Sequence, residues 1–250
     1  MKTLPPPKLE RGAALVTGGS GGIGSSIARR LAEAAYPVAI HYNSGPASAQ
    51  RLADEINAAG GAAVTVGGDV TSESAVATLV AEVAAAFGTV AVLVNNAGLS
   101  TPMAIEEMDE ARVTRELAVN VTGVALMIRA CLPLMREGAA IVNLSSNLAW
   151  APLPGMTLYC AAKAAVACLT HGLAKELGPR GIRVNAVAPG ATRTAMTEWI
   201  DASVMDGIAG QTPLGRIAEP GDVAGSVMLL VSSDAGWVTG RTIIVDGGLA

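Results

Sequence analysis

Tyr159 and Lys163 stand four residues apart in TLYCAAKAAVACLTHGLAKEL, a segment that reads as one long helix. Residues four apart share a helix face, so this spacing sets a phenol beside an ammonium. An unperturbed tyrosine, with a pKa of about 10, carries protons poorly near neutrality. A nearby positive charge favours the phenolate and lowers that value. Such a pair can exchange a proton with a carbonyl or alcohol oxygen. The same spacing arises by chance in many helices, so its meaning depends on the rest of the chain.

A second chemical feature lies near the N-terminus. Thr17-Gly18-Gly19-Ser20-Gly21-Gly22-Ile23-Gly24 follows an apolar strand-like run and opens a helix-like one. Glycines there permit a tight turn and close approach of backbone to a phosphate, and the helix N-terminus offers free N–H groups. A plain strand-to-helix turn could carry the same glycines.

The segments that must position these groups alternate along the chain. GAALVTG, PVAIHY, AAVTVGG, VAVLVNNAG, AAIVNLSS, IRVNAVAPG and RTIIVDGG read as strands, mostly as continuous apolar runs suited to a sheet covered on both faces. GIGSSIARRLAEAA, SAQRLADEINAAG and SESAVATLVAEVAAAFG read as helices, with Gly60 and Gly88 at expected helix ends. Repeated strand–helix units predict an α/β fold: a doubly wound parallel sheet of about seven strands with helices on both faces. No boundary divides residues 11–250, which form one predicted domain. Residues 1–10, with three consecutive prolines, read as a loosely attached tail. Residues 191–212 form a long connection carrying Met196, Trp199, Ile200 and Met205, the form of a substrate lid or of an ordinary surface helix pair.

Composition narrows the function classes. The 250 residues are 51% hydrophobic and 15% charged, with net charge -4, enough apolar material for one large core. No basic run suggests nucleic acid as a partner. No window approaches the ~20 apolar residues of a membrane span, and the N-terminus lacks a signal-peptide pattern. A cytoplasmic protein is expected. Cys131, Cys160 and Cys168 show no metal-ligand spacing and read as buried free thiols; no metal is expected.

The glycine spacing, Thr-Gly-x-x-x-Gly-x-Gly, resembles that of the short-chain dehydrogenase/reductase family, and the resemblance extends along nearly the whole chain. Asn95-Asn96-Ala97-Gly98, Asn120 in LAVNVTG, Ser146 thirteen residues before Tyr159, Lys163, Pro189-Gly190 with Thr194, and Asp69-Val70 all match its ordered motifs. The resemblance implies a Rossmann-like fold and a catalytic tetrad of Asn120, Ser146, Tyr159 and Lys163. Tyr159 would be the general acid in reduction and the base in oxidation. Ser146 would bind the substrate oxygen. Lys163 would hold the nicotinamide ribose and lower the Tyr159 pKa, and Asn120 would hold a relay water. Ser145 is the near neighbour for the serine role, but adjacent strand residues face opposite ways, which favours Ser146.

The cofactor residues implied are Gly18, Ser20, Gly21, Gly22, Ile23 and Gly24; Tyr42, Asn43 and Ser44; Asp69 and Val70; Asn96, Ala97 and Gly98; Pro189, Gly190, Thr192 and Thr194; and Tyr159 with Lys163. The second strand ends in Tyr42-Asn43-Ser44, without the carboxylate that binds a ribose 2′-hydroxyl, which favours NADP(H) while leaving NAD(H) possible. His41 reads as an inert strand histidine or, less simply, as a phosphate ligand. Leu99, Ser100, Asn147, Leu148, Trp150, Leu153, Met156, Met196, Trp199 and Ile200, with Ser146, are expected to line a mostly apolar substrate pocket. That lining suits a small uncharged ketone or secondary alcohol.

The chain looks like the 3-oxoacyl-[acyl-carrier-protein] reductase branch, although only Arg136 and Arg180 offer basic charge for a carrier protein. The family further implies a homotetramer, with the Tyr159 helix and GRTIIVDGGLA at its interfaces. The competing reading is a non-catalytic sensor of a nicotinamide cofactor, which would have no need of the intact tetrad.

Overall fold

The computed structural model of the chain describes residues 12–250. The tail expected at residues 1–10 lies outside the described residues. The seven apolar runs fold as seven parallel strands, β1 (Ala13–Val16), β2 (Val38–Tyr42), β3 (Ala63–Gly67), β4 (Val90–Asn95), β5 (Ala140–Leu144), β6 (Arg183–Pro189) and β7 (Thr242–Val245). Their order is β3-β2-β1-β4-β5-β6-β7. Both faces are covered, which explains why the runs do not alternate. Ala13 and Leu15 of β1 join a core layer with the helices α3 (Glu73–Phe87), α5 (Gly123–Cys131) and α6 (Thr157–Leu177). Ala14 and Val16 join the opposite layer with α1 (Gly22–Glu33), α2 (Pro46–Ala58) and α8 (Pro220–Val231). Strand order reverses between β1 and β4, so a ligand crevice opens beyond the carboxyl ends of these strands.

The helices differ from expectation at their ends. α1 stops at Glu33 rather than Ala35, because Ala35 turns through a left-handed conformation at φ 61°. α2 starts at Pro46, where a proline costs no helical hydrogen bond. Gly88 ends α3 with φ 80°, and Gly60 lies just past α2 with φ 87°. Residues 157–177 form one helix, as their composition predicts.

α4 (Glu110–Leu117) runs through a π-helical turn at Ala118–Thr122 directly into α5. The sequence reading that no segment could span a membrane is corrected here. Glu110–Leu134 is long and apolar enough by length and composition, because several short helical pieces join into one 25-residue run. In the fold this run packs against α3, α6 and β4. It also carries the buried polar residues Glu116 and Asn120.

The connection 191–212 is ordered: a 3₁₀ turn at Ala195–Thr197, then α7 (Ala202–Gln211). Of the cysteines, Cys131 and Cys160 are buried, and burial pushes the Cys131 thiol up to about 12. Cys168 is exposed, against the expectation that all three are buried, since it lies on an outward face of α6.

Candidate active site

The glycine turn is held from three sides. Thr17 Oγ1 accepts from Asn96 N and Ala97 N, both at 3.0 Å. Asn96 Nδ2 donates to Thr17 O and Gly18 O at 2.9 and 3.0 Å. His41 is neither inert nor a phosphate ligand: its Nδ1 accepts from Gly18 N at 3.0 Å, and its Nε2 lies 2.8 Å from Gly68 O. It pins the turn to β2 and β3. Sequence reasoning missed Thr17 and His41 as positioning groups; a polar residue at each strand end was the available signal. Asn96, expected to face the cofactor, spends its amide nitrogen on the turn itself.

The turn suits a dinucleotide. A Cβ at Gly24 would lie 2.2 Å from Gly18 O, so only glycine lets the helix pack this close. Gly21, the N-cap of α1, is exposed and gives no side-chain cap to the first amides, and nothing lies within 4 Å of where its Cβ would stand. Unclaimed amides at a helix start fit a pyrophosphate. Ser20, Gly22 and Ile23 are partly exposed beside them. Thr194, from the loop after β6, rests over Gly22. Asn43 and Ser44 are exposed beyond β2, and the Tyr42 ring turns over Gly67. These ends carry no carboxylate.

Several expected cofactor contacts are modified. Asp69 is exposed, its Oδ1 accepting from Thr71 N and Oγ1 at 2.9 and 2.8 Å. Val70 is buried against Gly123, so its side chain serves the packing of α5. Thr192 is buried and donates to Gly190 O at 3.0 Å, tightening the turn after Pro189.

The tetrad residues converge beyond β5. Ser146 is buried and accepts from Leu148 N at 3.2 Å, and its hydroxyl faces Tyr159 closely enough to favour the phenolate. Ser145 points the other way and donates to Lys163 O at 2.8 Å, fastening α6 to the sheet. Lys163 is 4% exposed; its Nζ donates to Leu144 O at 2.8 Å and stands 5.6 Å from the Tyr159 ring centre. Asn120, in the π turn, holds Leu99 by both its groups, at 3.1 and 2.7 Å. A Cβ at Gly98 would lie 3.1 Å from Asn120 Oδ1 and 3.5 Å from Lys163 Nζ, so Gly98 marks their meeting point.

Electrostatics correct one expectation. Lys163 does not pull Tyr159 down in this state. Burial pushes Tyr159 up to about 12, with Ser146 working against it. Burial also draws Lys163 down to about 8, opposed by the charge of Glu116.

Below the site, Asn95 Nδ2 donates to Asn143 Oδ1 at 2.8 Å, and Asn143 Nδ2 donates to Thr170 Oγ1 at 2.9 Å. This buried polar ladder joins β4, β5 and α6 and was not foreseen from sequence, although Asn143 interrupts an apolar strand.

The expected apolar pocket is less enclosed than the sequence suggests. Trp150, Leu153, Met196 and Trp199 are all exposed around the cleft mouth. The 191–212 connection anchors itself through buried Thr192, Met205 and Thr212, turning Met196 and Trp199 outward. Leu99, Ser100, Leu148, Met156 and Ile200 are partly exposed. Asn147 is buried and donates to Asp246 at 3.4 Å, so it serves the loop rather than the pocket wall. Met103 N donates to Gly155 O at 2.8 Å, joining the loops that follow β4 and β5.

Comparisons with known proteins find relatives along nearly the whole chain. A family profile described as enoyl-(acyl carrier protein) reductase matches residues 18–250. An uncharacterized oxidoreductase of Methylorubrum extorquens is 42% identical over 245 residues, 97% of this chain and 99% of that protein. The 3-oxoacyl-[acyl-carrier-protein] reductase FabG of Staphylococcus aureus is 38% identical over 239 residues, 95% of this chain and 97% of that protein. A short chain dehydrogenase from Burkholderia cenocepacia, solved in complex with NADP, is 38% identical and superposes with a TM-score of 0.91 over 97% of this chain and 99% of that one.

Proposed function

The chain belongs to the short-chain dehydrogenase/reductase family and is an NAD(P)-dependent oxidoreductase, and on that premise we propose that it reduces an uncharged ketone with NADPH, Tyr159 supplying the proton. The observation that carries this reading is the meeting of Ser146, Tyr159 and Lys163 at the carboxyl end of β5, facing the uncapped start of α1.

A bound nicotinamide supplies a hydride to the substrate carbon, or takes one from it in the reverse direction. The chain's own groups handle the oxygen. The Ser146 hydroxyl donates to the carbonyl oxygen and stabilises its developing charge. The Tyr159 phenol gives that oxygen its proton, and takes one back in oxidation. Lys163 places a positive charge beneath the phenol and offers donors to a ribose. The first amides of α1 would hold the pyrophosphate, with Thr194 beside them from the β6 side.

NADP(H) is supported by the neutral Tyr42-Asn43-Ser44 terminus, which puts no carboxylate against a 2′-phosphate, and by the relative solved with NADP. An uncharged substrate fits the apolar rim of Trp150, Leu153, Met196 and Trp199. A carrier-linked substrate is less supported, since only Arg136 and Arg180 offer basic charge for it and Arg180 donates to Leu132 O. The apolar surface left at Leu229, Trp237, Ile243 and Ile244 supports a homotetramer, and the relatives support a cytoplasmic enzyme.

The test is nicotinamide absorbance with purified protein across a panel of ketones and alcohols, NADPH and NADH in parallel. Faster turnover of a neutral ketone with NADPH is expected. Cofactor binding without turnover of any substrate would replace this reading with that of a sensor.

A further inference from the structure

We propose that Glu116 is a positioning residue for the Tyr159–Lys163 proton pair: its carboxylate, buried one turn before Asn120 where α4 meets α6, sets how readily that pair releases a proton. The proposal rests on the reductase reading above.

Glu116 is the one fully buried residue of α4, at 1% exposure. A helix anchored by a single inward side chain would be anchored more cheaply by an apolar one. Here it is a carboxylate whose oxygens make no hydrogen bond of full geometry among the described residues; the Thr101 amide is the one backbone donor that acts on it. The buried carboxylate of Asp246, by contrast, accepts from Gly248 N and Ala250 N. A buried carboxylate with so little polar support is costly, so its placement calls for an explanation in the site beside it.

The titratable groups facing Glu116 are Lys163 and Tyr159, both from α6. Cys160, also on α6, faces Tyr159. The loop over residues 96–104 brings the Thr101 amide and no titratable side chain, and the π turn that continues α4 carries Asn120. Burial raises the Glu116 pKa, while the Thr101 amide and Lys163 lower it. When ionised, Glu116 raises the proton affinity of both Lys163 and Tyr159. Removing its charge therefore lowers both, and the two effects have one sign.

The experiment measures kcat/KM for alcohol oxidation with NADP⁺ against pH, in the full chain and in Glu116→Gln. The rising limb should move to lower pH by about one unit in the variant. Glu116→Asp, which keeps the charge, should hold the limb near that of the parent. A purely structural role would change stability or kcat and leave the limb in place, so a coincident limb in an active Glu116→Gln overturns the proposal. If Glu116→Gln does not fold, Glu116→Met, an apolar side chain of similar length, carries the same test with the same outcomes. A parent that oxidises no alcohol and reduces no ketone defeats the reductase reading, and this inference with it.

Discussion

Lys163 Nζ stands 5.6 Å from the centre of the Tyr159 ring but gives its hydrogen bond to Leu144 O. The lysine thus stands beside the phenol without bonding to it, and burial keeps the phenol protonated at neutral pH. That state suits a donor to a carbonyl oxygen. Tyr159→Phe removes the donor with almost no change in volume. It should lower kcat by about 10²–10⁴-fold while NADPH affinity, followed by fluorescence titration, stays within a few-fold. Turnover at the parent rate would refute the proton role.

Adjacent serines should separate cleanly. Ser146→Ala removes the hydroxyl facing the phenol and should cost about 10²–10³ in kcat. Ser145→Ala removes the bond to Lys163 O and should cost about 1 kcal/mol of stability with a smaller loss of rate. Steady-state kinetics with denaturant melts of both variants checks this; a reversed pattern would reassign the serine.

His41 makes the glycine turn sensitive to acid. Its Nδ1 must be unprotonated to accept from Gly18 N, and burial holds its pKa below 6.5. The unfolded chain takes up this proton near the ordinary value, before the folded protein does. The contribution of His41 to stability is therefore complete above about pH 6.5, and it declines as pH falls from there toward the depressed folded value. Melting temperature against pH should fall more steeply in the parent than in His41→Gln below that point. Parallel curves would remove His41 from this role.

Tyr42→Asp places a carboxylate at the end of β2, where a ribose 2′-phosphate is expected. The ratio of kcat/KM for NADPH over NADH should fall by about tenfold or more, a change of about 1.4 kcal/mol. An unchanged ratio would move the specificity position away from Tyr42.

Much of this architecture was legible in the residues themselves. Continuous apolar runs marked strands covered on both faces, and the Tyr159 helix was visible from end to end because nothing in it breaks a helical pattern. What escaped was set by partners distant in sequence. Glu116 sits in RELAVN, which reads as the charged face of a surface helix; only the approach of α6 buries it. The π turn at Ala118–Thr122 has no signal in AVNVT. His41 looked inert because its partners, Gly18 and Gly68, come from two other segments. Trp150 and Trp199 looked like pocket wall by composition, whereas their loops are anchored through other residues.

The ladder from Asn95 through Asn143 to Thr170 lies in the apolar layer beneath the catalytic end. Asn95 and Asn143 are register partners across β4 and β5. Sliding either strand by one residue would turn its amide away from its partner, with each stranded group costing about 1–3 kcal/mol. Apolar neighbours such as Val92, Val94 and Val142 could be exchanged in such a slip at far less cost. Strand alignment is thus written in amide chemistry where shape alone would leave it ambiguous. Because the third rung is on α6, the same alignment fixes the rotation of the helix that presents the phenol.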